Sequence, residues 1–128
     1  MEIELRKAVI AWLREDPALS DLNAVEEESP LKAAAPWLGI AASGSVDWST
    51  KDRGGREVRV AFELTTNSDE TASQSALIAA IEQRLLQLPA AQSGFDLINS
   101  QFLRARSERR TNNRRATLLE YRFRLLAN

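Results

Sequence analysis

The sequence of 128 residues contains no cysteine and no histidine. These two absences exclude disulfides, thiolate nucleophiles, the usual zinc sites and the most common general base. No phosphate-binding loop, dinucleotide-binding fingerprint or nucleophile elbow is present either. We therefore expect a protein that is not an enzyme and that needs no cofactor or metal.

Long apolar runs are also missing. No stretch approaches the ~18 apolar residues that a membrane-spanning helix needs. The N-terminal sequence MEIELRKAVIAWL is acidic and amphipathic, and it lacks the apolar core of a signal peptide. We expect no contact with a membrane and synthesis in a cytoplasm.

Charge is present in near balance but is unevenly distributed. Residues 1–30 hold eight acidic and three basic side chains, whereas residues 101–128 hold eight arginines and two glutamates. Such polarity suits head-to-tail contact between copies or contact with oppositely charged partners. The alternative is a solvated surface whose charge is uneven by chance.

Two segments have the periodicity of amphipathic helices. Residues 2–15 and 69–88 carry apolar side chains at helical spacing, and prolines follow both segments. Asn67 or Ser68 is the expected N-cap of the second helix. The expected helical core positions are Leu5, Val9, Trp12, Leu77, Ile81 and Leu85.

Four segments have the features of strands: 37–49, 56–66, 95–107 and 115–126. In the second and fourth of these, apolar and polar residues alternate, which indicates an antiparallel sheet with one covered face. Its expected core positions are Val58, Val60, Phe62, Tyr121 and Phe123. Residues 23–36 are predicted to be an irregular exposed connection, and Gly54 and Gly55 to allow a turn with positive φ.

This order of elements predicts one α+β domain over residues 1–128. Each helix needs a partner for its apolar stripe, and a sheet with one apolar face supplies it. We expect a two-layer sandwich in which two main helices pack on one face of a mostly antiparallel sheet of about four strands.

The stretch RARSERRTNNRR, residues 104–115, has six arginines and one acid. We call it the arginine hairpin, with Thr111, Asn112 and Asn113 as its turn. It could dock to an acidic neighbouring protein, contact nucleic acid, or remain solvated, and we expect its tip to be mobile in the free subunit. The candidate partner-binding residues are Arg104, Arg106, Arg109, Arg110, Arg114, Arg115, Arg122 and Arg124.

Several phrases of the sequence resemble a known family over essentially the whole chain. They are PWLGIA, DWSTKDRGGREVRVAFELTTN, the helix SALIAAIEQRLLQL and the closing strand EYRFRLLAN. Together they resemble the tail terminator, or tail completion, proteins of long-tailed phages and of gene transfer agents. The resemblance carries over no catalytic residues.

The resemblance implies a structural virion protein at the head-proximal end of a tail. Tail terminators form a hexameric ring that caps the tail tube, stops its polymerisation and joins the tail to the head. The implied partners are further copies of the chain, the tail tube protein, the head–tail connector proteins and, in passing, DNA in the lumen. The alternative hypothesis is a small nucleic-acid-binding module that uses residues 104–115.

Overall fold

The computed structural model describes residues 1–28 and 33–128. Its elements, in chain order, are listed by their bounds: α1 (Glu2–Arg14), a short 3₁₀ helix (Pro17–Leu19), β1 (Ala24–Val25), β2 (Trp37–Asp47), β3 (Gly55–Asn67), α2 (Thr71–Leu86), β4 (Phe95–Arg110) and β5 (Arg114–Ala127). The strands form one sheet in the order β1-β2-β3-β5-β4. No helix in this part of the chain is long and apolar enough to cross a membrane.

The α+β class is confirmed, but the expected sheet of about four strands is wrong. The sheet has five strands, and β1 pairs with β2 in parallel, while the other neighbours are antiparallel. Strand β1 lies within the predicted irregular connection 23–36, of which residues 29–32 fall outside the described chain. A strand of two residues is too short for alternation to reveal. Backbone bonds continue its pairing, because Glu26 N–H donates to the Leu38 carbonyl at 3.1 Å.

The predicted core is confirmed, with one exception. Both helices and the sheet contribute to one apolar cluster, which defines the inner face of the sheet. Trp12 is only partly buried at its margin. The largest fully buried side chains include Leu5, Phe62, Leu64, Ile81, Tyr121 and Phe123.

The predicted cap of the second helix is wrong. Helix α2 begins at Thr71 after Glu70, without a side-chain cap, and Asn67 is the last residue of β3. The Ser68 hydroxyl instead donates to the Asn113 carbonyl oxygen at 3.0 Å. Tertiary contact with the hairpin turn has therefore replaced the local capping bond.

Two glycines beside the β2–β3 turn do not adopt the positive φ that was expected. Among the described residues, the glycine with positive φ is Gly94, at 91°. Gly55 has a different role, because a Cβ atom there would lie 2.4 Å from the Trp48 carbonyl oxygen. The sequence needs glycine at this position for close backbone packing.

Strand β4 contains two irregularities that change which side chains face outward. The register with β5 shifts between Leu97 and Asn99 and again between Phe102 and Arg104. Each shift is a β-bulge, an extra residue that reverses the alternation of faces. As a result Phe102 pairs with the core residue Tyr121, whereas Arg104 pairs with Glu120 on the opposite face.

Candidate partner-binding surface

The face of the sheet opposite the helices is polar, and we call it the open face. In the described part of the chain, the register places seven arginines on it, together with four glutamates and one aspartate, Asp96. Positive charge is therefore in excess over this face. The arginines are Arg59, Arg104, Arg106, Arg110, Arg114, Arg122 and Arg124, and the glutamates are Glu57, Glu63, Glu108 and Glu120.

Ion pairs connect neighbouring strands across this face. The Arg124 Nε atom lies 3.1 Å from the Glu57 carboxylate. Arg104 pairs with Glu120, and this hydrogen bond lowers the pKa of the Glu120 carboxyl and raises that of Arg104. Exposed pairs of this kind add little to stability because solvent screens them, so their main effect is to orient the guanidinium groups.

Two tryptophans also lie against arginines. The Arg114 guanidinium lies 4.9 Å from the centroid of the Trp37 ring, and Arg124 lies 5.3 Å from that of Trp48. These two aromatic rings therefore lie among the arginines of the open face. Both contacts are cation–π interactions, which fix the arginine positions.

The tip of the arginine hairpin has polar anchors that its composition does not reveal. Arg110 Nη2 lies 2.8 Å from the Glu63 carboxylate of β3, and Ser68 N–H donates to the Asn113 carbonyl at 2.9 Å. The turn is confirmed, and Asn112 and Asn113 have φ values of 60° and 57°, the left-handed region that asparagine tolerates. The mobility of the tip stays a prediction.

The eight predicted arginines do not form one cluster. Six lie on the open face, whereas Arg109 and Arg115, which pair with each other, have the alternation of the inner face. Arg106 and Arg109 make no ion pair with any described residue. Sequence reasoning missed Arg59, which is paired in register with Arg122. The alternation of residues 57–64 was the available signal, because it places Arg59 on the uncovered side.

A concavity of about 590 Å³ lies on the open face between β2 and β4. Its lining combines small side chains with Arg59, Arg104 and Glu120. It offers charge and hydrogen-bonding groups to a protein surface. Nothing in its lining resembles the nucleophile-and-base arrangement of an enzyme.

Comparison with known proteins agrees with the resemblance that the sequence suggests. A chain in the solved virion of a native gene transfer agent particle matches with a TM-score of 0.81 and 24% identity, covering 97% of this chain and 96% of that chain. This likeness establishes the shared fold. No curated protein matches the sequence.

The family itself follows from a match to a family model. Residues 7–126 match the model of the tail completion protein gp17. This is a family of structural proteins of the virion tail and not a class of enzymes, which supports the prediction that the chain is not an enzyme. The chain belongs to the tail completion protein gp17 family and is a structural protein of the virion tail.

Proposed function

We propose that this chain is a tail terminator, which forms a hexameric ring at the head-proximal end of the tail tube. The ring stops polymerisation of the tube and joins the tail to the head connector. Membership of the tail completion family carries this proposal. The opposite charges at the two ends of the sequence support it, since a ring of identical subunits needs two different, complementary surfaces on each copy.

The tip of the arginine hairpin is the proposed contact with an acidic surface of the tube or the connector. Its arginines are largely exposed, and guanidinium groups bind carboxylates through charge-assisted, often bidentate hydrogen bonds. Each such contact is weak when exposed. Repetition around a ring multiplies the weak contacts into stable attachment.

Electron microscopy of purified particles tests the ring. We expect a ring with six copies of this chain between the tube and the head. Particles in which the chain lies only inside the capsid, or at the distal end of the tail, would contradict the proposal.

The tip of the arginine hairpin has four arginines, Arg109, Arg110, Arg114 and Arg115. Substituting them two at a time gives two matched variants. Replacing Arg109 and Arg115 with serine removes no ion pair of the described subunit, so the melting temperature should stay nearly unchanged while the yield of joined particles falls. Replacing Arg110 and Arg114 removes the Glu63 pair and the Trp37 contact, so we expect a small loss of stability as well. Native yields of joined particles from the first variant would show that Arg109 and Arg115 do not bind a partner.

The excess of arginine on the open face also favours a second candidate, the binding of nucleic acid. Phosphate binding would make affinity fall steeply with salt concentration. A titration of a non-specific duplex at two salt concentrations measures this dependence. Tight, salt-dependent binding by the free subunit, lost when Arg59 and Arg106 are replaced with serine, would support the nucleic-acid-binding module over the ring.

A further inference from the structure

The sheet has two lateral edges, and they differ in charge. Strand β4 pairs with β5 along one side only, and its free side, with Arg104 and Arg106, is the basic edge. At the other side, β1 covers only Trp37 and Leu38 of β2. Among the described residues, the segment 26–28 and the free side of β2 from Ala41 to Asp47 form this second, acidic edge.

Both edges also expose large apolar side chains. Val46 on β2 is 59% exposed, and Ile98 and Phe102 on β4 are 45% and 42% exposed. Ile3 is 55% exposed and adjoins Glu2, whose carboxylate accepts a hydrogen bond from Ser43 of β2 at 2.8 Å. Unpaired strand edges with apolar side chains favour pairing with another chain.

The strand register shows which residues of the two edges lie at the same distance along the strands. We call a set of residues paired across the sheet a row, and two residues of one row level with each other. One row of paired residues joins Val46 through Glu57 and Arg124 to Asn99, the neighbour of Ile98. A second row joins Ser43, which binds Glu2, through Val60 and Tyr121 to Phe102. Large apolar side chains therefore lie level with each other at both edges in the first row, whereas in the second row Phe102 lies level with the contact between Ser43 and Glu2.

A third row matches opposite charges. It joins Gly39 through Glu63 and Leu118 to Arg106. A Cβ atom on Gly39 would lie 3.5 Å from the Glu28 carbonyl oxygen and 3.6 Å from that of Glu26. The three consecutive glutamates 26–28 are thus level with Arg106, at the opposite edge of the sheet.

We infer that the basic edge of one copy packs against the acidic edge of the next. A rotation about an axis that runs along the strands, without a shift along that axis, brings equal levels of the two edges together. Strand β4 runs opposite to β2, so the two edges meet as antiparallel strands. The occupant of each edge is a second copy of this chain, and the inference rests on the proposed ring.

The absence of native cysteine gives a direct test. Gly44 and Gln101 lie on one row, through Arg59 and Arg122, and both are exposed. Particles that carry the double variant Gly44→Cys, Gln101→Cys are treated with a short thiol cross-linker. We expect a ladder of covalent multimers that ends at the closed ring.

The matched control is the double variant Gly44→Cys, Ser107→Cys. Ser107 lies in the same row as Leu38, about five residues or roughly 17 Å from Gly44 along the strand, and on the inner face instead of the open face. It should therefore give no ladder. Melting temperatures near that of the parent chain establish that each variant folds. Each single-cysteine variant should leave only monomers.

Four results would overturn the inference. Dimers from either single variant would mean that like edges meet, and an equal ladder from the control would mean that levels are not matched. Ring density without a ladder would show that the subunits meet elsewhere, while the proposed function stands. Particles without ring density would remove the proposed function itself, together with the inference.

Discussion

Trp12 of α1 and Arg84 of α2 bind each other reciprocally. The Trp12 indole N–H donates to the Arg84 carbonyl oxygen at 2.8 Å, and Arg84 Nε–H donates to the Trp12 carbonyl oxygen at 2.9 Å. The guanidinium carbon lies 3.3 Å from the centroid of the indole ring. The contact joins the two helices at the margin of the core.

Arg84→Ala should therefore lower the free energy of unfolding by about 1–3 kcal/mol, because a cation–π contact and a charge-assisted hydrogen bond are both lost. Arg84→Lys should lose less, since a positive charge stays near the ring. Denaturant melts measure both. A loss below about 0.5 kcal/mol for Arg84→Ala would show that the contact is incidental.

Phe62 tests the inner face of the sheet. Its side chain is fully buried and meets the Tyr121 ring edge-on, with 6.1 Å between the centroids. Phe62→Ala should cost about 3–5 kcal/mol of stability, because it leaves a cavity in the core. Arg59→Ala, on the open face of the same strand, is the control and should change stability by about 0.5 kcal/mol or less. A loss below about 1 kcal/mol for Phe62→Ala would remove Phe62 from the core.

The neighbouring glycines 54 and 55 should respond differently to alanine. A Cβ atom on Gly55 would lie 2.7 Å from the Leu125 carbonyl oxygen, whereas nothing lies within 4 Å of one on Gly54. We expect Gly55→Ala to cost about 1–3 kcal/mol through overpacking, and Gly54→Ala to stay within about 0.5 kcal/mol of the parent chain. Thermal melts compare the two, and equal stabilities would contradict the close packing at Gly55.

The contacts of the Glu2 carboxylate, beside the acidic edge, predict that the stability of the fold depends on pH. Hydrogen bonds from Ser43 and Ser45, together with the charge of Arg6, lower the pKa of the Glu2 carboxyl below its ordinary value of 4.5. The contribution of these contacts to the stability of the folded chain is therefore fully present above pH 4.5. It is lost as the pH falls from 4.5 through the lowered pKa that Glu2 has in the folded chain.

Ser43→Ala should raise the pKa of Glu2 toward 4.5, which an NMR titration of the carboxyl group measures. Ser75→Ala, exposed on α2, is the control and should not alter that titration. An unchanged pKa of Glu2 in Ser43→Ala would mean that the hydroxyl does not stabilise the carboxylate.

The parts of the fold with repeated local patterns were predictable from the sequence. In residues 58–64 every second residue is apolar. These four side chains point inward and are all buried. Strand β1 could not be predicted, because two residues show no period and its parallel partner lies beyond a connection. The cap of α2 was missed for a related reason: Ser68 binds Asn113, 45 residues away, and local sequence does not reveal such a partner.

The sequence predicted that arginines form the candidate surface, but it did not predict on which face of the sheet each arginine lies. Arg109 and Arg110 are adjacent in sequence and therefore point to opposite sides of the sheet. Arg59 joins the open face through pairing with Arg122, which depends on strand order. Residue counts reveal a charge excess, whereas the register decides which surface receives it.

The two bulges of β4 have opposite effects on the face of the sheet that each later side chain occupies. The first exchanges the inward and outward sets after Leu97, and the second restores them before Arg104. Because Leu103 is the extra residue of the second bulge, its deletion would leave Phe102 opposite Tyr121 and Arg104 opposite Glu120, so the later side chains would keep their faces. Deletion of a paired residue such as Ala105 would instead turn the side chains that follow it to the opposite face. A change of length in this strand therefore preserves the two faces only where a bulge gains or loses its extra residue.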